Sequence, residues 1–82
     1  MYLARVFITP KPTVNDPQGH TVLQSLRELE FESTYDVRVG KYIEVRIMED
    51  EQSLVDTMVQ SMCDKLLSNP VIEDYQYELE RL

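Results

Sequence analysis

The sequence predicts one α+β domain, a two-layer sandwich in which two helices cover one face of a four-stranded antiparallel sheet. Three observations carry that expectation. Four short segments alternate apolar and polar residues with the period of a strand. Two longer segments repeat apolar residues with the period of a helix, and breaker residues separate the segments. With 82 residues the chain has room for one core, so a single domain spanning 1–82 is expected.

The first strand covers residues 2–9, with Tyr2, Ala4, Val6 and Ile8 on one face and Leu3, Arg5, Phe7 and Thr9 on the other. Pro10 and Pro12 end it, since proline cannot donate to a ladder. Asp16-Pro17 then marks a helix start, a carboxylate to cap free amides followed by a ring suited to the first helical position. Val22, Leu23, Leu26 and Leu29 repeat at helical spacing to about Glu30. Gly19 in the first turn weakens this helix by up to about 1 kcal/mol relative to alanine, which points to close approach of another chain.

Tyr35, Val37 and Val39 read as a second strand, and Ile43, Val45 and Ile47 as a third. Pairing Val39 with Ile43, Val37 with Val45 and Tyr35 with Ile47 keeps both apolar sets on one face, which requires a three-residue loop or bulge at Gly40-Lys41-Tyr42. A second helix follows, capped by Asp50 or Ser53. It carries adjacent apolar ridges, Leu54, Met58, Met62, Leu66 and Val55, Val59, Cys63, Leu67. Asn69 suits a left-handed helix end and Pro70 blocks continuation. The last strand runs from Val71 to Leu79, with Tyr75, Tyr77 and Leu79 on one face. The resulting order, β-α-β-β-α-β, is that of a ferredoxin-like fold or a close variant.

The charge is uneven. The chain carries 8 basic and 15 acidic side chains, a net −7. Residues 49–82 alone hold two basic and nine acidic groups, leaving the first 48 residues near neutral. An acidic chain lacks the basic stripe that nucleic acid or an anionic membrane surface requires. Cys63 is the only cysteine, so no internal disulfide forms, and no apolar run approaches a membrane span. The N-terminus lacks a signal-peptide pattern, and a cytoplasmic location is expected.

No motif for covalent or metal chemistry emerges. His20 is the only histidine and has no nucleophile beside it in sequence; Gly19 and Gly40 do not make a phosphate loop. Glu49-Asp50-Glu51 complements a helix dipole and does not need a cation. The sheet face away from the helices offers Leu3, Arg5, Phe7, Tyr42, Arg46 and Met48, an interleaving of apolar and charged groups suited to a self-complementary dimer face. Neither an acylphosphatase-like anion loop, a two-cysteine metallochaperone motif nor a basic aromatic RNA-binding sheet is present. A small-molecule-binding regulatory dimer of the ACT kind remains as an alternative.

Three segments taken together resemble one family. Asp16-Pro17-Gln18-Gly19 opens the first helix, and Asp36-Val37-Arg38-Val39-Gly40-Lys41-Tyr42-Ile43-Glu44 spans the expected hairpin. Residues 62–75, from Met62 through Asn69-Pro70 to Tyr75, cross from the second helix into the last strand. This combination is similar to the PurS family, the small subunit of phosphoribosylformylglycinamidine synthase in purine biosynthesis. Glu30-Phe31 departs from the family, where a glycine helix stop is usual. The resemblance implies a non-catalytic subunit, a homodimer or homotetramer that bridges a glutaminase subunit and a large ATP-dependent synthetase subunit and assists ammonia transfer. It implies no cofactor bound by this chain, while the complex uses ATP, magnesium and glutamine. Arg38, Gly40 and Lys41 are then expected to present a hairpin-tip contact to a partner, with Asp16, Gly19, Asn69 and Pro70 as contact or shape-setting positions.

Overall fold

The computed structural model describes residues 1–82. Its elements are strand β1 (Tyr2–Pro10), helix α1 (Pro17–Glu28), strand β2 (Lys41–Ile47), helix α2 (Gln52–Met62) and strand β3 (Glu73–Arg81). A π-helical turn, Cys63–Leu67, extends α2. β1 is the central strand of an antiparallel sheet in the order β2-β1-β3. Ala4 lies opposite Val45 on one side and Leu79 on the other; Arg5 lies opposite Glu44 and Glu78. The expected alternation on β1 and β3 is therefore correct, and it decides the two faces of the sheet.

The sheet has three strands and not four. Residues 34–40 belong to no strand, although Tyr35, Val37 and Val39 alternate as a strand would. The physical reason is a competing partner: the Val39 N–H donates to Asp16 Oδ2 at 2.9 Å, which draws the segment toward the start of α1 and away from β2. Gly40-Lys41-Tyr42 is consequently not a hairpin loop. Lys41 and Tyr42 already lie in β2, opposite Ile8 and Phe7.

One helix builds the core. Tyr2, Ala4, Val6, Ile8 and Ile47 of the sheet enclose Val55, Val59 and Cys63 of α2 and its π-helical extension, and Met58, Met62 and Leu67 pack at the margin. Of the two ridges expected on α2, that of Val55, Val59 and Cys63 is buried, whereas Leu54 and Leu66 are exposed. No residue of α1 joins the core: Val22 and Leu29 are exposed, and Leu23 and Leu26 only half-buried. Of the two helices expected to cover one face, only α2 packs into the core. The molecule measures 49 × 27 × 14 Å with a radius of gyration of 16.2 Å, against about 12 Å for a compact chain of this length.

The helix ends differ from expectation in three places. Asp50 and Ser53 do not cap α2; its N-cap is Glu51, because the Asp50 carboxylate accepts from the N-terminal ammonium and Ser53 donates to Glu51. Asn69 is not left-handed. Ser68 closes the π-turn instead, its amide and hydroxyl both donating to Cys63 O, while Asn69 Oδ1 accepts from the Val71 N–H to form the turn into β3. The left-handed position is Glu30, with φ of 74°. There Phe31 N–H donates to Leu26 O and Glu30 N–H to Arg27 O, the hydrogen-bond pair of a Schellman stop. A side chain in this conformation costs about 1–2 kcal/mol, partly offset by the greater unfolded freedom of glycine. Glu30→Gly should therefore raise stability by about 0.5–1 kcal/mol, read as a higher urea midpoint with an unchanged slope.

Candidate functional site

The residues singled out as partner contacts lie far apart in sequence, and the fold brings all seven to one end of the sheet. Asp16 is the hub. Its Oδ1 accepts from the Gly19 N–H at 2.9 Å, capping α1, and its Oδ2 accepts from Val39. Those two backbone donors, with the Arg38 guanidinium adding a smaller attraction, hold the Asp16 carboxyl below the usual carboxylate range. Arg38 Nη2 donates to Lys11 O at 2.6 Å, with Pro10 O and Val14 O at 3.4 and 3.3 Å. It thus staples the loop that follows β1.

The same end is closed by backbone contact. Gly19 lies against Val37 O and the Asp16 carboxylate, and Gly40 against Ile8 O, each so close that a Cβ would not fit. The bare backbone expected at Gly19 is therefore met by the chain's own segment 37–39. Lys41 Nζ reaches Leu67 O at 3.4 Å and the Glu73 carboxylate at 3.7 Å, and Glu73 in turn accepts from the Asn69 N–H at 2.7 Å. Pro70, Glu73 and Tyr75, with Phe7, Thr9 and Lys11, are among the residues that line a cleft of about 610 Å³.

The open sheet face holds the second candidate set. Phe7 and Tyr42 rings sit 5.2 Å apart, and the Tyr42 hydroxyl donates to Glu44 at 2.8 Å. That hydrogen bond is the largest cause raising the Tyr42 pKa above its ordinary value. Arg5 donates to Glu80, which raises its pKa further. Arg46 and Met48 are exposed, Met48 by 88%, whereas Leu3 is buried at 5% between its neighbours despite facing outward.

The reactive side chains are kept apart. His20 is exposed on α1, while Cys63 is fully buried, and burial pushes its thiol pKa up. On the core face Tyr77 donates to Asp56 and accepts from Gln60 Nε2 at 3.0 Å. No group of three metal-ligating side chains converges. What the surface offers is shaped contact. Thr9, Lys11, Glu73 and Tyr75 of the cleft escape sequence reasoning, since the Lys11–Asp74 ion pair at 2.9 Å joins positions 63 residues apart with no local signal.

Similarity to known proteins spans this whole arrangement. The family described as PurS: Phosphoribosylformylglycinamidine (FGAM) synthase matches residues 3–81. The chain is 44% identical over 82 residues to the phosphoribosylformylglycinamidine synthase subunit PurS of Bacillus subtilis, covering 100% of this chain and 96% of that one. The structure of B. subtilis PurS superposes with a TM-score of 0.88 at 44% identity, covering 99% of this chain and 100% of that one. A chain of the PurLQS structure from Thermotoga maritima superposes with a TM-score of 0.85 at 26% identity, covering 98% and 99%.

Proposed function

We infer the function from one premise: this chain belongs to the PurS family of phosphoribosylformylglycinamidine synthase. It is a subunit of that synthase, in purine biosynthesis. Beyond the premise, our reading is that it bridges a glutaminase subunit and an ATP-dependent synthetase subunit as a cytoplasmic homodimer or homotetramer, assists ammonia transfer between them, and binds no cofactor itself. ATP, magnesium and glutamine are then used by the larger subunits. The observation that carries this reading is the end surface around Asp16, Arg38 and the Pro70–Glu73 turn. It is a surface built from several chain segments tied together by hydrogen bonds, while His20 is exposed on α1 and Cys63 is buried in the core.

Mechanistically, a bridge must align two active sites and keep water away from a diffusible intermediate, which calls for rigid shape more than reactive groups. Asp16, Arg38 and the two glycines supply that rigidity by tying the 10–16 loop, the α1 start and the 37–40 segment together. Full-length similarity to synthase subunits leaves the alternative of a regulatory ligand-binding dimer without a supporting observation. The test is reconstitution with the two larger subunits. Omitting this chain should abolish glutamine-dependent amidation while amidation from added ammonium salt continues. Equal glutamine-dependent rates with and without it would overturn the reading.

Arg38→Ala releases the loop carbonyls of Lys11, Pro10 and Val14 but leaves the sheet ladder intact. By loosening the loop that shapes the proposed contact surface, it should weaken association with the larger subunits roughly tenfold, the order of effect of losing a well-packed interface position. Self-association measured by light scattering should stay unchanged.

A further inference from the structure

β3 is an edge strand whose only ladder partner is β1. Lys11 N–H donates to Ile72 O and Leu82 N–H to Met1 O, which fixes the alternation of that ladder. Even-numbered residues of β3 therefore turn their N–H and C=O toward β1, and odd-numbered residues turn theirs outward. The Glu73 N–H donates to Asn69 O, but the outward groups of Tyr75, Tyr77, Leu79 and Arg81 have no partner. The strand runs nine residues without proline, glycine or bulge, devices that normally blunt an edge.

What surrounds this edge is negative charge. Asp74, Glu78 and Glu80 lie with Gln76 on the open face of β3. On the other face Tyr75 and Tyr77 stack at 6.4 Å against acidic positions of α2 and its π-helical turn. The Tyr77 hydroxyl donates to Asp56, and burial, followed by the nearby Asp64 carboxylate, raises the Tyr75 pKa. With Glu73, six of the nine acidic side chains of residues 49–82 thus lie on β3 or against it. The neighbouring cations do not offset them all. Arg5 and Lys11 are engaged by Glu80 and Asp74, and the Arg81 guanidinium lies 5.9 Å from the centre of the Tyr2 ring. Asp56, Asp64 and Glu78 form no ion pair.

We propose that the β3 edge receives an extended segment of a different protein chain, which adds a strand beside β3 and carries lysine or arginine at every second position. The outward backbone groups of Tyr75, Tyr77, Leu79 and Arg81 supply the new ladder, as in other cases of strand addition. Incoming residues opposite Asp74, Gln76, Glu78 and Glu80 fall at non-hydrogen-bonded positions, where cross-strand side chains come closest, so basic groups there meet the unpaired Glu78. The intervening residues lie on the side of Tyr75, Tyr77 and Leu79, where apolar groups extend that half-buried row. A second β3 is rejected by the same charges, since pairing the strand with a copy of itself sets acid against acid. The inference goes beyond the bridging reading and does not depend on it.

The test uses the full chain, with end-blocked peptides matching the length of β3 as probes. A peptide alternating lysine and valine should bind and slow hydrogen exchange at the Tyr75, Tyr77 and Leu79 amides about tenfold or more. A peptide alternating glutamate and valine should leave them unprotected, and so should one with the same lysines and valines in two blocks. Glu78→Lys, a surface change, should weaken binding of the lysine–valine peptide about tenfold. Leu79→Pro removes one outward donor without touching the β1 ladder, so it should abolish the protection of Tyr75 and Tyr77 while circular dichroism stays native. If that variant misfolds, Glu78→Lys still decides the matter. No binding, binding without slowing at the three amides, or equal protection by the acidic peptide overturns the proposal. Failure of the chain to support glutamine-dependent amidation would leave these results untouched, so the two readings fail separately.

Discussion

Gly40→Ala should destabilise the domain by about 3 kcal/mol, the upper end of the cost of overpacking, because the atom in the way is a backbone carbonyl. A Cβ at residue 40 collides with Ile8 O, and Ile8 is fully buried in the central strand, so the strand cannot retreat. The residue that must move is Gly40 itself. It leads directly into β2, and displacing it disturbs Lys41 opposite Ile8. Gly19→Ala makes the sharper comparison. Helix propensity alone favours alanine there by about 1 kcal/mol. The Cβ would instead meet Val37 O and the Asp16 carboxylate, so the net change should be a loss of about 2 kcal/mol. Both glycines have negative φ, so backbone freedom is not the reason for either. Urea denaturation of the two variants decides the matter. A Gly19→Ala protein more stable than wild type would mean that segment 37–39 is not docked against α1.

These same positions show what sequence could and could not carry. The strand alternation of residues 2–9 and of Tyr75, Tyr77 and Leu79 and the helix start at Asp16-Pro17 were legible because each depends on a local period or a local cap. So was the buried ridge of Val55, Val59 and Cys63. The expected strand start at Val71, by contrast, falls in a turn, and β3 runs from Glu73 to Arg81. The missing strand was not legible. Tyr35, Val37 and Val39 alternate properly, but a strand needs a ladder, and the Val39 amide is claimed by a carboxylate 23 positions away. The open packing of α1 was equally hidden, since Val22, Leu23, Leu26 and Leu29 form a stripe whether or not a neighbour covers it. Glu30 illustrates the converse. Glu30-Phe31 carries no glycine to mark a helix stop, yet the chain makes a left-handed turn there with a glutamate and accepts the strain.

The candidate contact positions, far apart in sequence, lie together at one end of the sheet, and this changes what each is expected to do. Arg38 and Lys41 are expected from the family resemblance to present a hairpin-tip contact, but residues 34–40 form no strand and there is no hairpin. Arg38 is in fact engaged with three carbonyl oxygens of the 10–14 loop, so its effect on any partner passes through the shape of that loop. It acts as a positioning residue. The acidic excess of residues 49–82 is likewise structural in part: Glu73 holds the Asn69 amide, Asp56 accepts from Tyr77, and Glu80 pairs with Arg5.

Asp16 should show the largest effect of any side chain in this unit, and its pH dependence separates mechanism from mere packing. Asp16→Ala leaves the Gly19 and Val39 amides without their acceptor and frees the 37–40 segment from α1. Loss of a helix cap and a long-range tie together should lower the melting temperature by roughly 5–10 °C. Asp16→Asn keeps the size but has one carbonyl oxygen for two donors, so it should fall between wild type and alanine. The Asp16 carboxyl is held below its unfolded value of about 3.9, so the stability it contributes is fully present above that pH and is lost as pH falls through the folded value. The gap between wild type and Asp16→Asn should accordingly stay constant from pH 8 to about 5 and close below pH 4. A gap that persists at low pH would mean that the carboxylate charge is not what joins the two segments. Because the same tie sets the shape of the proposed bridge surface, Asp16→Asn should also lower glutamine-dependent amidation in the reconstituted complex at neutral pH, with amidation from added ammonium unaffected.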